Sequence, residues 1–178
     1  MEFGVNVTFE IKTAEELADP ELEARWAARR ARRTEEVFRQ VLRAFVDRAG
    51  PVPVDDVVTA LPGRRRDDVL GELAALDAED LILARAGRIE LAYPFAGRPT
   101  AFTVVLPGGR ERHACCAIDA LGIPPMLDAR VLIRSACHHC GDPLSFEADA
   151  EGPYPEADRI MVWVGTRGPL DRKVIDSF

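Results

Sequence analysis

The chain has 178 residues, 47% of them hydrophobic and 30% charged, with a formal net charge of −7. That length allows one domain or two small ones sharing an interface, and two small units is the expectation. The acidic balance argues against a nonspecific polyanion binder, and no apolar stretch approaches the roughly 20 residues needed to span a bilayer. The start, Met1-Glu2-Phe3-Gly4-Val5, has no basic region followed by an apolar one, so a cytoplasmic location with no membrane partner is expected.

Residues 3–12 alternate loosely (Phe3, Val5, Val7, Phe9, Ile11), which predicts a short strand. Thr13-Ala14-Glu15-Glu16 then has the form of a capping box, and Asp19-Pro20 offers a second helix start. The helix so begun carries Arg29, Arg30, Arg32 and Arg33 interleaved with Glu21, Glu23, Glu35 and Glu36, the pattern of a solvated face rather than a nucleic-acid patch. Residues 1–33 read as an N-terminal extension of strand plus arginine-rich helix.

From Thr34 the pattern sharpens, because Val37, Phe38, Val41, Leu42, Phe45 and Val46 recur at helical spacing up to the stop at Gly50-Pro51. A short helix from Val54 to Leu61 follows, then the break Pro62-Gly63, then a third helix from about Arg64 to Leu76. Strands over Leu81–Arg85 and Arg88–Tyr93 are joined through Ala86-Gly87. Three helices and a two-stranded wing make residues 34–95 a winged-helix-like domain. Nucleic acid is not its expected partner: residues 34–106 hold twelve acidic against nine basic side chains, and Asp67, Asp68 and Glu72 stand beside Arg64-Arg65-Arg66.

Past Tyr93-Pro94-Phe95 lies a second unit, residues 96–178. It has a strand over Ala101–Leu106, the turn Pro107-Gly108-Gly109, a short helix near Ala114–Leu121, a strand over Arg130–Ser135, the loop Ala136–Pro143, and an apolar strand Ile160–Val164. The fold class is therefore α+β, with the winged-helix-like unit packed on a small mixed α/β unit.

All four cysteines fall in that second unit, as the adjacent pair Cys115-Cys116 and the C-x-x-C Cys137-His138-His139-Cys140. In a reducing cytosol they are thiols, metal ligands or redox groups sooner than structural staples. If the segment is helical, Cys116 and Asp119 share a face and set a thiol beside a carboxyl group. A helix N-terminus tends to lower the thiol pKa and partial burial to raise the carboxyl pKa, both suited to attack plus protonation. The bland alternative is a small buried Cys116 and a capping or surface Asp119. The C-x-x-C suits zinc, a redox dithiol or a metal-free pair of thiols, and four zinc ligands would need His138, His139 or the Cys115-Cys116 pair to fold together with it.

Two stretches carry a family resemblance. Ile89-Glu90-Leu91-Ala92-Tyr93-Pro94-Phe95 with Pro99-Thr100, and Cys116-Ala117-Ile118-Asp119-Ala120-Leu121-Gly122-Ile123-Pro124, resemble motifs of the alkylmercury (organomercurial) lyase family, in that family's order, from about residue 34 onward. The resemblance implies that Cys116 is a catalytic cysteine, Asp119 the catalytic aspartate and Cys137 a structural cysteine. It also implies carbon–mercury bond cleavage: soft thiolate sulfur captures the organomercurial and the aspartic acid protonates the leaving carbon. No cofactor is required on this reading. Mercury(II) is a bound product, passed to a low-molecular-weight thiol or a mercury reductase, and zinc is an option at the cysteines. In the family a second essential cysteine follows a stretch resembling Asp171–Phe178, where this sequence ends, so the second thiol is expected from further chain, from Cys115, or from Cys137 or Cys140. The metal-ligand candidates are thus Cys115, Cys116, Cys137 and Cys140. The alternative to an enzyme is a thiol metal-binding protein or metal sensor that uses the same cluster.

Overall fold

The structure, a computed structural model, describes residues 10–13, 16, 20, 24, 27–28, 31–32 and 35–163. The chain divides into two units, Met1–Thr34 and Glu35–Phe178. In the first, the capping box forms in both directions. The Thr13 N–H donates to Glu16 Oε2 at 2.7 Å and the Glu16 N–H donates to Thr13 Oγ1 at 3.3 Å. Pro20 is helical, as are Ala24, Ala27, Ala28, Ala31 and Arg32. The expected strand over 3–12 is not present at residues 10–12, and its residues 3–9 lie outside the described residues, as do Arg29, Arg30 and Arg33.

The second unit begins with helix α1, Glu36–Asp47. Its stripe of Val37, Phe38, Val41, Leu42 and Phe45 is buried, as helical spacing requires. Helices α2, Val54–Thr59, and α3, Arg66–Ala78, pack against it. The arginines at the start of α3 meet carboxylates: Arg64 pairs with Glu36 and Glu72, and Arg66 with Asp55 at 2.6 Å. Strands β1 (Val52–Pro53), β2 (Ile82–Arg85), β3 (Arg88–Ala92) and β4 (Phe95–Ala96) follow. The β2–β3 turn puts Ala86 at φ 49° and Gly87 at φ 73°, the left-handed pair that matches strand twist in a two-residue hairpin. A register shift between Leu83 and Ala84 frees the Ala84 N–H, which donates to Asp77 Oδ1 of α3 at 3.0 Å.

The sheet then continues through β5 (Phe102–Leu106), β6 (Arg110–Ala114), β7 (Val131–Ala136), β8 (Pro143–Asp149) and β9 (Gly152–Pro153). Its order is β1-β3-β4-β6-β5-β7-β8-β9, with β2 on β3, and every pairing is antiparallel. One sheet therefore runs across both halves of the sequence, and one core joins Phe38 and Phe45 of α1 to Val104, Ile123, Ile133 and Phe146. Arg112 ties the two ends together. From β6 it is 8% exposed, and its guanidinium donates to the carbonyls of Phe45 at 2.7 Å and Val46 at 2.6 Å, the last turn of α1, which has no basic residue of its own.

Helix α4, Ala117–Leu127, crosses β5, β6, β8 and β9. It starts later than expected because Arg110–Ala114 is a strand, and it runs past residue 121 through Pro124 and Pro125. Proline φ is helical, but each ring removes an N–H donor and crowds the carbonyl four residues back, a cost that burial of Ala120, Ile123 and Pro124 offsets. The expected strand Ile160–Val164 is corrected. Residues 160–163 carry no strand: Ile160 packs against the core, but Met161 and Trp163 are 70% and 63% exposed, and Val164 lies outside the described residues. No helix among the described residues is long and apolar enough to cross a membrane.

Candidate functional site

The polypeptide around Cys116 is held by residues distant in sequence. Phe95 of β4 pairs with Ala114 of β6 and stacks on Phe45, with ring centroids 6.3 Å apart. The Pro94 carbonyl, at the cis Tyr93–Pro94 peptide, accepts from the Cys115 N–H at 3.1 Å. Thr100 Oγ1 donates to the Ala114 carbonyl at 2.6 Å and accepts from the Phe102 N–H at 3.1 Å. Backbone on both sides closes in at Gly97, where a Cβ would lie 2.7 Å from the Glu90 oxygen and 2.9 Å from the Pro51 nitrogen. The segments 93–100 and 114–116, far apart as text, thus meet as one scaffold.

Cys116 is the N-cap of α4, with extended φ −149° and ψ −179°. Cys116 and Asp119 therefore meet through a cap and not through a shared helix face. The Asp119 N–H donates to Cys116 Sγ at 3.4 Å, and the Cys116 thiol donates to Asp119 Oδ2 at 3.0 Å. Extended backbone sends adjacent side chains to opposite sides. Accordingly Cys115 turns into the core at 6% exposure while Cys116 stays half-buried beside exposed Ile118.

The expected lowering of the Cys116 pKa is corrected. Burial and then the negative charge of Asp119 push the thiol up to about 12, with its hydrogen bond to Asp119 adding to the shift. The helix N-terminal effect exists, as donation from the Asp119 and Ile118 N–H groups, but it is outweighed. Cys115 is likewise raised, by burial first and then by Asp119.

Cys137 and Cys140 sit at the tip of the β7–β8 hairpin, just past the Ala136–Pro143 pair. The Cys137 N–H donates to the Asp142 carbonyl at 2.8 Å and the Gly141 N–H to the Cys137 carbonyl at 2.9 Å, with Gly141 at φ 76°. Backbone N–H donation from Cys140 and then His139 holds the Cys137 thiol below its ordinary range. The Cys140 thiol moves the other way: it accepts from the Asp142 N–H, yet its donation to the Asp142 carboxylate and to the Cys137 sulfur outweighs that and raises it. Among the described residues no group of three or more His, Cys, Asp or Glu side chains is placed to hold a metal ion. Of the four candidate metal ligands, then, the structure brings Cys116 to Asp119 and Cys137 to Cys140, and the four do not form one set. A surface hollow of 470 Å³ is lined by Leu83, Arg85, Ala86, Glu90, Leu91 and Arg98, with no cysteine in its wall.

Sequence reasoning missed the supporting roles of Thr100 and Arg112. Thr100 stood in a quoted motif without a role, and a lone arginine in a polar strand gives no signal of burial. Comparisons with known proteins now bear on the same stretch. Residues 95–174 match the family model for alkylmercury lyase (MerB). The crystal structure of the mercury-bound form of MerB2 is similar in fold, with TM-score 0.59 and 23% identity over 76% of this chain; this chain spans 66% of that one. No curated protein matches. The family match thus covers the stretch that carries Cys116 and Asp119, and the likeness to the solved structure extends to the fold.

Proposed function

We propose that this protein cleaves carbon–mercury bonds, with Cys116 capturing the metal and Asp119 delivering the proton. The observation that carries the reading is the 3.0 Å thiol–carboxylate contact inside the stretch that matches the family. A thiol with a pKa near 12 is a weak nucleophile in isolation. The carboxylate resolves that difficulty, because it can accept the thiol proton as sulfur bonds to mercury, so that no free thiolate has to form in advance. The S–H bond breaks, an S–Hg bond forms, and the substrate's anionic ligand leaves. Asp119 now holds a proton within reach of the carbon on that mercury. Transfer to carbon breaks the C–Hg bond, releases hydrocarbon and restores the carboxylate, leaving mercury(II) on Cys116 with one coordination place for a second thiolate.

Soft sulfur suits each capture step, and general-acid catalysis needs this close range. Exposed Ile118 offers an apolar contact beside the thiol for the organic group. The second thiolate comes either from Cys115 or from a low-molecular-weight thiol, and mercury(II) then passes to a cytoplasmic thiol or a mercury reductase. Residues 34–95, read as a winged-helix-like unit, serve here as a buttress: β3 and β4 carry the strand edge on which Ala114 and the Pro94 carbonyl are set.

The test is hydrocarbon release from an arylmercury compound, followed by gas chromatography. Cys116→Ser replaces soft sulfur with hard oxygen and should abolish both capture and release. Asp119→Asn should still capture the substrate but release hydrocarbon far more slowly. Cys115→Ala separates the two sources of the second sulfur: loss of turnover names Cys115, and retained turnover in excess small thiol names the solution ligand. A parent protein that binds organomercurial and never releases hydrocarbon would overturn the enzymatic reading in favour of a thiol metal-binding protein or sensor.

A further inference from the structure

We propose that the Cys137–Cys140 knuckle is a separate surface site for a soft, filled-shell cation, taking mercury(II) as a two-coordinate bis-thiolate independently of Cys116. The β7–β8 ladder holds both ends of the loop up to the Ala136–Pro143 pair, and two further backbone hydrogen bonds close it into a tight turn at left-handed Gly141. Cys137 and Cys140 therefore stand in one tight turn, closed by the Gly141 N–H to Cys137 carbonyl bond at 2.9 Å, which keeps the two thiols close along the chain. Cys140 is exposed and Cys137 half-buried, leaving both open to solution. This is a pair of donors at an exposed hairpin tip, in contrast to Cys115, which is buried, and Cys116, which is half-buried.

The number of donors selects the cation. Structural zinc takes four ligands in a closed tetrahedron. No third His, Cys, Asp or Glu among the described residues joins this pair in a metal-holding group, His138 and His139 included. A soft cation that is satisfied by two sulfurs needs no third ligand, and thiolate is the ligand class such cations prefer. Binding replaces both thiol protons. Two S–H bonds break, two S–Hg bonds form and two protons go to solvent, with no change in oxidation state. The neutral bis-thiolate sits at the surface, where small thiols can deliver or remove the metal by exchange.

The experiment uses the full chain, pre-reduced and kept without oxygen. One equivalent of mercury(II) is added in the presence of competing glutathione, followed by alkylation and mass mapping of each cysteine. Cys137 and Cys140 should be protected together, in the parent and equally in Cys116→Ser. Cys140→Ser should weaken retention at Cys137 by roughly 10²–10⁴-fold, the advantage a tethered second ligand confers. Zinc(II) at the same concentration should leave both thiols open to alkylation. Undiminished labelling of Cys137 and Cys140 under mercury(II) would overturn the proposal, as would equal protection by zinc or loss of protection in Cys116→Ser. Because the Cys116→Ser arm reads the knuckle without turnover, its result is distinguishable from failure of the proposed lyase activity.

Discussion

Two cysteine pairs fall within the stretch Cys115–Cys140 of this sequence, and the fold gives them opposite chemistry. Cys115 and Cys116 join strand β6 to helix α4, where burial and a carboxylate hold their protons on. Cys137 and Cys140 cap an exposed hairpin, where backbone N–H groups hold a sulfur toward its thiolate form. Both pairs receive N–H donation, so a helix or turn N-terminus by itself does not decide the reactivity of a thiol. What decides it is whether the low dielectric and a neighbouring negative charge outweigh those dipoles. At Cys116 they do, and the same carboxylate that suppresses the thiolate is the group that can take its proton.

The largest expected effect tests that double role. Asp119→Asn should lower hydrocarbon release by about 10²–10⁴-fold, the range for a lost general acid, while organomercurial binding persists. Unchanged release would break the comparison at its root, since the carboxylate would then be only a suppressor. A second effect is read without substrate. At pH 8 a thiol of pKa about 12 is ionised to only about 10⁻⁴. The greater nucleophilicity of its thiolate recovers part of the loss, so Cys116 should alkylate roughly 100-fold more slowly than an ordinary thiol, and Cys137 should label first. In Asp119→Asn the like charge is gone, and Cys116 labelling should speed up by about tenfold or more. Site-resolved iodoacetamide kinetics give both numbers, and equal rates at Cys116 and Cys137 would contradict the assigned environments.

Stability should follow the same asymmetry with pH. The folded-state pKa values of Cys115 and Cys116 lie above their unfolded values, so the folded form holds those protons more tightly. Their contribution is fully present below the ordinary thiol range near pH 8.5 and is lost as pH rises toward 12, with a slope of up to about 1.4 kcal/mol per pH unit for each thiol. Thermal melts between pH 8 and 10.5 should therefore show a falling Tm that is shallower in Cys115→Ala. A Tm that rises over that range would reverse the sign of the argument.

Much of this contrast was legible in the sequence, and the gaps have physical causes. Helix α1, the Ala86-Gly87 hairpin and the Thr13–Glu16 box are local patterns, and each formed as its residues dictate. The nearness of Cys116 and Asp119 was also legible, although by helical spacing rather than by the capping that produces it. The missing elements were strands that pair with the strand just before them, yet whose inward residues find their partners elsewhere in the fold. β6 reads Arg110-Glu111-Arg112-His113-Ala114, a polar stretch, because its buried member is an arginine satisfied by carbonyls of α1. β8 does alternate, with Phe146 and Ala148 inward, but it lies between the loop Ala136–Pro143 and a Pro/Gly-rich stretch, where its short apolar pattern gives little signal. The thiol pKa failed for the same reason: the N-terminal dipole is local and visible, whereas burial is a property of the assembled sheet.

The smallest effects separate scaffold from tip. Gly97→Ala would drive a Cβ against the Glu90 carbonyl and the Pro51 backbone, neither of them the movable end of a side chain, and should cost about 1–3 kcal/mol. Arg112→Met should cost a similar 1–3 kcal/mol by leaving the Phe45 and Val46 carbonyls short of donors at the end of α1. Thr100→Val removes the hydroxyl that fixes Ala114 and Phe102, at about 1 kcal/mol, and should slow turnover as well because Ala114 leads directly into the Cys115–Cys116 segment. Cys140→Ser sits at an exposed turn, where a serine oxygen can also accept from the Asp142 N–H, and should stay within about 0.5 kcal/mol of the parent. Urea unfolding of the four variants ranks them. If Cys140→Ser proves as costly as Gly97→Ala, the knuckle is part of the folding core rather than an exposed pair of donors. If Thr100→Val loses stability but keeps full turnover, the strand that carries Cys116 tolerates more movement than its hydrogen bonds imply.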